Sequence, residues 1–349
     1  MTTNAYAYAR ANLIGEHTDY NNGFVLPTPI PFKTEVTIEP LPTEADGTIR
    51  VTSKAFNETI DCKIGQAPTD GWADYIMGCC TVLKEKGIEV PPVHLTLDTS
   101  IPMGAGISSS AALLVAVLRA FNTHLGLSLS ALDIARLAHN AEKHYVGVPC
   151  GIMDQFVCAL GQLNHAFMLD TLHQTFEQVA LPDSVVVMLV NCGKKHRLAA
   201  GDGYRTRVAE CQEACKELGI DSLRDLTTSD LPLLDKLPDL LKKRARHVIT
   251  ENKRVLDAVE ALKKGDMGKM SQLMSDSHDS QRDDYEVSIP EIDSLVESSR
   301  HFGIKSARLT GGGFGGSIVA LVPKEKCSSW WAAISKENPE ASLISTYGD

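Results

Sequence analysis

The sequence predicts a two-domain protein of mixed α and β structure (α/β, more narrowly α+β), and three observations predict it. The chain has 349 residues, 43% hydrophobic against 22% charged, which is enough to build two packed cores and excludes a disordered or collagen-like chain. Period-2 and helix-period stretches occur on both sides of the middle of the chain. Leu181, Pro182 and Asp183 punctuate that middle just before the buried-strand run SVVVMLV. The boundary is therefore expected there, with residues 1–182 as one domain and 183–349 as the other.

Residues 34–65 alternate apolar and polar side chains between Pro, Asp and Gly turn signals, so strands and hairpins are expected. A helix should cover Ala73 to Lys86, and VHLTLDT should form a strand after it. The next helix should start at Ser108 and reach Leu125; SAALLVAVLRAF is apolar nearly all round, so it should be buried. Further helices are expected from Ser130 to Tyr145 and from Ile152, the latter with Asp154 in its first turn. HAFMLD and FEQVAL read as strands. Residues 203–265, rich in Lys, Glu, Arg and Leu at helical spacing, read as several amphipathic helices. Near the end, KSARLTGGGFGGSIVALVP reads as strand, glycine turn, strand.

Charge and composition narrow the function. A net charge of -10, with no concentrated Lys/Arg stripe, argues against nucleic acid as a partner. The apolar runs are shorter than the roughly 18 residues of a membrane span, and the N-terminus lacks the pattern of a secretory signal, so no membrane partner and a cytoplasmic location are expected. Nine scattered cysteines without a Cys-x-x-Cys pair fit reduced thiols rather than a disulfide frame or zinc cage.

Four stretches carry chemistry. In Pro102-Met-Gly-Ala-Gly-Ile-Ser-Ser-Ser-Ala-Ala112 a glycine-bearing loop opens into a helix. Backbone N–H groups and the positive helix end there suit a phosphate, and the serines add donors or a magnesium ligand; a plain serine N-cap is the alternative. Gly311, Gly313 and Gly316 satisfy G-x-G-x-x-G, but a strand-like run follows them instead of the helix that a dinucleotide fold needs. Backbone must pass close to a ligand or to another backbone there. RANLIGEHTDY places Arg10, Glu16, His17 and Asp19 around a short apolar segment, which suits sugar hydroxyls or a polar surface turn. In EKHYVGVPCGIMDQ, Glu142 lies near one helix end and Asp154 inside the next helix start, either as catalytic carboxylates or as charges complementing a dipole.

Taken jointly, these stretches resemble the galactokinase branch of the GHMP small-molecule kinases. RANLIGEHTDYNNGFVLP is similar to that branch's signature, PMGAGISSSAALLVA to the second family motif, RLTGGGFGGSIVAL to the third, and GVPCGIMDQFVCALG to the segment bearing the catalytic aspartate. The resemblance runs from Tyr8 to Pro323, nearly the whole chain. It implies an N-terminal domain like ribosomal protein S5 and a ferredoxin-like C-terminal domain, with the active site in the cleft between them and the GGGFGG turn supporting the phosphate loop. It implies an ATP-dependent transfer to the C1 hydroxyl of D-galactose, giving α-D-galactose 1-phosphate and ADP as in Leloir-pathway galactose metabolism. Mg²⁺ would be the cofactor, galactose and ATP the small-molecule partners, and a monomer or weak homo-oligomer the assembly.

By the same resemblance, Asp154 would accept or orient the proton of the anomeric hydroxyl, and Arg10 would stabilise negative charge beside it. Glu16, His17, Asp19, Gly151 and Tyr204 match positions that contact sugar hydroxyls. Gly104, Ala105, Gly106, Ile107, Ser108, Ser109 and Ser110 would cradle the ATP phosphates, and Ser110 with Glu142 would hold magnesium. The chain departs from the family pattern at Tyr8-Ala9, where Pro-Gly is usual, at Ala11, and at Gly201, Asp202 and Gly203 beside Tyr204. These departures bear on sugar choice more than on the reaction.

Three other readings stand beside this one. A related anomeric kinase acting on galacturonate, arabinose or a heptose would use a further basic residue for a carboxylated sugar, and Lys194, Lys195, His196 or Arg197 could serve. A catalytically silent sugar and nucleotide sensor is disfavoured because Ser108 to Ala112, Asp154 and Arg10 are all present. A dinucleotide-dependent enzyme rests on the glycine match alone.

Overall fold

A computed structural model describes residues 1–42, 47–102, 104–194 and 199–347. Strands β1 (Thr3–Asn12), β2 (Phe24–Val25), β3 (Pro27–Pro40), β4 (Thr48–Ser53) and β5 (Glu58–Lys63) precede helix α1 (Asp74–Glu85) and strand β6 (Val93–Thr99). Helices α2 (Ser109–His124), α3 (Ala131–Asn140) and α4 (Met153–Leu160) follow, then strands β7 (His165–Asp170), β8 (Thr175–Ala180) and β9 (Val185–Asn191). Helices α5 (Ala199–Leu218), α6 (Asp239–Lys263), α7 (Met267–Asp283) and α8 (Pro290–His301) lead to strands β10 (Ala307–Thr310) and β11 (Ser317–Pro323). Helix α9 (Cys327–Glu337) and strand β12 (Ser342–Tyr347) complete the order.

The chain packs as two compact units. The first comprises Met1–Arg10, Pro29–Pro102 and Ser108–Gly161; the second comprises Ala11–Thr28, Met103–Ile107 and Gln162–Asp349. Segments 11–28 and 103–107 precede residue 182 in sequence yet pack within the second unit, so the division by packing is not one cut in the chain.

The first unit is built on a sheet of order β1-β3-β6-β4-β5. Strands β3 and β6 pair antiparallel, β4 runs parallel to β6, and β5 returns antiparallel on β4. Alternation in the sequence becomes a buried face here: Val36, Ile38, Ile49, Val51, Leu95 and Leu97 are all buried. Helix α2 packs among α1, α3 and α4 and buries Ala111, Leu114, Val115, Val117, Leu118 and Phe121, as its all-round apolar surface demands. Helix α3 starts at a capping box, in which Ser130 Oγ accepts from the Asp133 N–H and the Asp133 carboxylate accepts from the Ser130 N–H. It runs into a wider π-helical turn, Ala141–Val146, that carries Glu142.

The second unit holds an antiparallel sheet of order β10-β11-β9-β12. With α5–α8 between β9 and β10, and α9 between β11 and β12, the sequence strand-helix-strand-strand-helix-strand is that of a ferredoxin-like domain. Residues Ile318, Val319, Ala320, Leu321 and Val322 of β11 are all buried, which explains a continuous apolar run where one-sided strands would alternate. A second sheet, β2-β7-β8, contains the two strands read from HAFMLD and FEQVAL. Residues 203–265 do form helices α5 and α6, but Thr228–Lys236 between them is a 3₁₀ helix around Pro232, because proline cannot donate in an α-helical turn.

None of the nine cysteines is joined in a disulfide. Among the described residues no helix is long and apolar enough to cross a membrane, and no cluster of three or more His, Cys, Asp or Glu side chains is placed to hold a metal ion.

Candidate active site

The residues singled out in the sequence gather in two groups, one in each unit. In the first unit, β1 alternates Ala7 and Ala9 in the core with Tyr6, Tyr8 and Arg10 on the other face. Arg10 meets Asp154 from the first turn of α4: Nε donates to Oδ1 at 2.8 Å and Nη2 donates to Oδ2 at 2.8 Å. This two-point ion pair fixes the plane of the carboxylate, which a lysine could not do. The Arg10 side chain is 5% exposed and that of Asp154 is 30% exposed, so the pair is anchored on the arginine side and open on the aspartate side. Ser108 joins them, with Oγ donating to Asp154 Oδ2 at 2.5 Å. Its hydroxyl does not cap α2, so the plain N-cap alternative for this serine does not hold.

A second carboxylate lies in the same unit. Glu142 is buried, and Gln155 Nε2 donates to its Oε2 at 2.6 Å. The Ser110 hydroxyl lies near enough to the same carboxylate to lower its pKa. Burial pushes the Glu142 carboxyl above its ordinary range, while Ser110 and Gln155 pull it back. Gln155 Oε1 is buried without a hydrogen-bond partner among the described residues. Ser109 is exposed in the first turn of α2, and Gly151 is buried just before α4.

In the second unit, Glu16 and His17 are buried. The Glu16 carboxylate pairs with Nη2 of the fully buried Arg308, and its Oε1 accepts from the Gly311 N–H at 3.1 Å. Burial pushes the Glu16 carboxyl up to about 7 against the pull of Arg308. His17 sits in the left-handed region at φ 63°, with Nδ1 3.0 Å from the Tyr20 hydroxyl. Tyr20 in turn lies 2.6 Å from the Tyr285 hydroxyl, which reaches Cys211 Sγ at 3.1 Å. The Tyr204 ring is 5.6 Å from the His17 ring, and Tyr285 is 4.8 Å from it. Burial, with His247 and Arg207 nearby, lowers the His17 pKa to about 3, so its imidazole is neutral at pH 7. Asp19 sits on the next short turn, and its Oδ1 accepts from the Tyr20 N–H at 3.0 Å. The arrangement is an aromatic wall with a neutral imidazole and a nearby carboxylate, suited to a polyhydroxylated ligand with apolar ring faces.

The glycine turn at 311–316 joins two antiparallel strands, with Thr310 opposite Ser317 and no helix after it. That geometry excludes the dinucleotide reading. Instead the turn supports the loop at 104–107. Ser317 Oγ donates to the Ala105 carbonyl at 2.8 Å, and a Cβ at Gly311 would stand 3.0 Å from the Gly106 carbonyl oxygen. Gly104, at φ 73°, is exposed in that loop, and Ile107 is buried at its end. At the departure near Tyr204, a Cβ on Gly203 would stand 2.6 Å from the Phe314 ring, so the small residue makes room for the turn's phenylalanine.

Of the four basic residues weighed for a carboxylated sugar, Lys194 pairs with Glu340 at 2.5 Å. Lys195, His196 and Arg197 lie outside the described residues. Sequence reading missed Gln155, Arg308, Tyr20 and Tyr285. An arginine between Ala307 and Leu309 in the strand leading to the glycine turn was a usable signal for Arg308; the two tyrosines become partners of His17 only in three dimensions.

Residues 74–162 match the model of the GHMP kinases N terminal domain, 258–337 that of the GHMP kinases C terminal domain, and 4–40 the galactokinase galactose-binding signature. The chain is 43% identical over 321 residues to a galactokinase of Thermotoga neapolitana, covering 91% of this chain and 89% of the relative. It is 44% identical over 336 residues to a galactokinase of Haemophilus influenzae, covering 93% and 86%. The crystal structure of Lactococcus lactis galactokinase complexed with galactose superposes with a TM-score of 0.94 at 31% identity, covering 99% of this chain and 93% of that one.

Proposed function

Because the chain belongs to the galactokinase family of the GHMP kinases, we propose that it transfers the γ-phosphoryl group of ATP to the C1 hydroxyl of D-galactose. The products are α-D-galactose 1-phosphate and ADP. The observation that carries this reading is the two-point Arg10–Asp154 pair, an oriented carboxylate with one open side.

Phosphoryl transfer needs alignment of donor and acceptor and neutralisation of charge at the transferring group. Asp154 accepts the hydrogen of the C1 hydroxyl and points that oxygen at the γ-phosphorus. Arg10 holds Asp154 in register and stabilises the negative charge that develops on the sugar oxygen and the phosphoryl group. His17, Asp19 and Tyr204, with Gly151, contact the sugar. A sugar with a misplaced hydroxyl would leave one of these groups unpaired, at a typical cost of about 1–3 kcal/mol. Glu16 serves sugar recognition with His17, its carboxylate anchored on Arg308 and the Gly311 N–H. Backbone N–H groups of residues 104–110 receive the phosphates of ATP at the start of α2.

The residues fit a magnesium ion. The Glu142 carboxylate is buried, and the Ser110 hydroxyl is near enough to lower its pKa, so a hydroxyl and a carboxylate stand close together at the head of α2. Two protein oxygens are what Mg²⁺ uses when ATP phosphates and water complete its octahedron. Bound there, it would neutralise charge on the phosphates of ATP, while Gln155 holds the Glu142 carboxylate through Oε2.

Measuring ADP release with galactose and ATP tests the reading. Saturable, galactose-dependent release is expected; binding of both ligands without release would establish a silent sensor instead.

A further inference from the structure

We infer that Ser108 is a positioning residue for Asp154, its hydroxyl filling Oδ2 so that Oδ1 is the oxygen that meets the acceptor hydroxyl. The inference deepens the proposed reading of Asp154 and rests on it. A serine before a helix ordinarily turns its oxygen back to an N–H of the first turn. Ser108 makes no such cap, although it directly precedes α2. Its backbone lies at φ 64° and ψ 46°, a left-handed conformation that glycine adopts without cost and serine does not. A residue kept there against its preference is held by its side chain, and that side chain, buried with the rest of the residue, bonds Asp154.

The consequence follows from counting acceptor directions. Each carboxylate oxygen has two lone pairs. Arg10 treats the two oxygens of Asp154 alike, with one donor at 2.8 Å to each. Ser108 breaks that symmetry by adding a second donor to Oδ2, at 2.5 Å. Oδ2 is thereby saturated, whereas Oδ1 accepts from Arg10 Nε alone among the described residues. With the Asp154 side chain 30% exposed, Oδ1 can take one more donor, and in the proposed reaction that donor is the sugar hydroxyl. The hydroxyl of Ser108 is thus committed to the aspartate, and only its backbone is left to serve the nucleotide.

The test uses Ser108→Gly and Ser108→Ala in the full chain. Glycine suits the left-handed backbone, so Ser108→Gly should melt at or above the wild-type temperature. Both variants should lose about 10- to 100-fold in kcat, with the KM for ATP and for galactose within about twofold of wild type. A kcat within about twofold of wild type would overturn the inference, as would a loss carried only by a raised KM for ATP. A crystal structure of Ser108→Gly with galactose bound gives a second readout independent of turnover: with Arg10 still holding the carboxylate, the acceptor hydroxyl is expected to be shared between Oδ1 and Oδ2, and a hydroxyl confined to Oδ1 as in the wild type overturns the inference. Wild-type turnover on galactose is scored separately, so failure of the kinase reading and failure of the Ser108 assignment are told apart.

Discussion

Arg10 engages both oxygens of Asp154, and that single contact sets the expectations at the scale of the residue. Replacing Asp154 with Ala should reduce kcat by at least about 100-fold while leaving ATP affinity, measured by calorimetry, within about twofold. Retention of wild-type kcat would remove Asp154 from the reaction. Glu142 makes a different prediction, because its carboxylate is held by Gln155 and not by the Arg10 fork. Glu142→Ala should raise the Mg²⁺ concentration for half-maximal rate by about 10-fold or more, and an unchanged magnesium titration would exclude it as a ligand. The residues that sequence could not supply are those whose partners lie far along the chain. Arg308 approaches Glu16 across 292 positions, and Tyr285 meets Tyr20 across 265. No local pattern encodes such pairs; only the packing of the second unit brings them together.

At the scale of the element, the glycine turn between β10 and β11 offers the sharpest contrast. Gly313 has φ 82°, and a Cβ there would stand 2.6 Å from the Val287 carbonyl oxygen. At Gly312 the nearest atom to a Cβ would be Tyr204 Cδ2 at 3.8 Å, an ordinary contact. Gly313→Ala should therefore cost about 1–3 kcal/mol in chemical denaturation and Gly312→Ala well under 1 kcal/mol. Equal effects would show that the turn is not tightly held. The same turn shows what sequence could and could not convey. Strand, turn and strand were legible because apolar runs flank five glycines in six positions, whereas contact with the 104–107 loop was legible only through family resemblance. Helix α2 was readable from its apolar surface. The π-helical turn carrying Glu142 was not, because its residues AEKHYV differ in no obvious way from a continuing α-helix.

For the whole molecule, buried ionisable groups set the dependence of stability on pH. Folding lowers His17 to about 3 and His247 to about 4, both from 6.5, so their contribution is complete above pH 6.5 and is lost as pH falls through the folded values. Glu16, raised from 4.5 to about 7, has the opposite sign: its contribution is present below pH 4.5 and is lost as pH rises through 7. Glu251, lowered from 4.5 to about 2, contributes above pH 4.5 and loses that contribution as pH falls further. Between pH 4.5 and 6.5 two imidazoles oppose one carboxyl. Stability is therefore expected to fall from pH 6.5 to 4.5 and to fall further below that, as followed by the urea midpoint; a midpoint that rises on acidification would contradict these assignments.

The two-domain composition and the reaction were legible because four motifs keep their order along the chain. The discontinuous packing of segments 11–28 and 103–107 was not, since each segment belongs by sequence neighbourhood to one unit and by contact to the other. On this reading the chain phosphorylates galactose at C1. ³¹P NMR of the protein incubated with ATP, Mg²⁺ and galactose tests it most directly. The account predicts stoichiometric ADP and one sugar phosphate whose phosphorus couples to the anomeric proton in the α configuration. Phosphate appearing on another hydroxyl, or ADP accompanied only by inorganic phosphate, would contradict it.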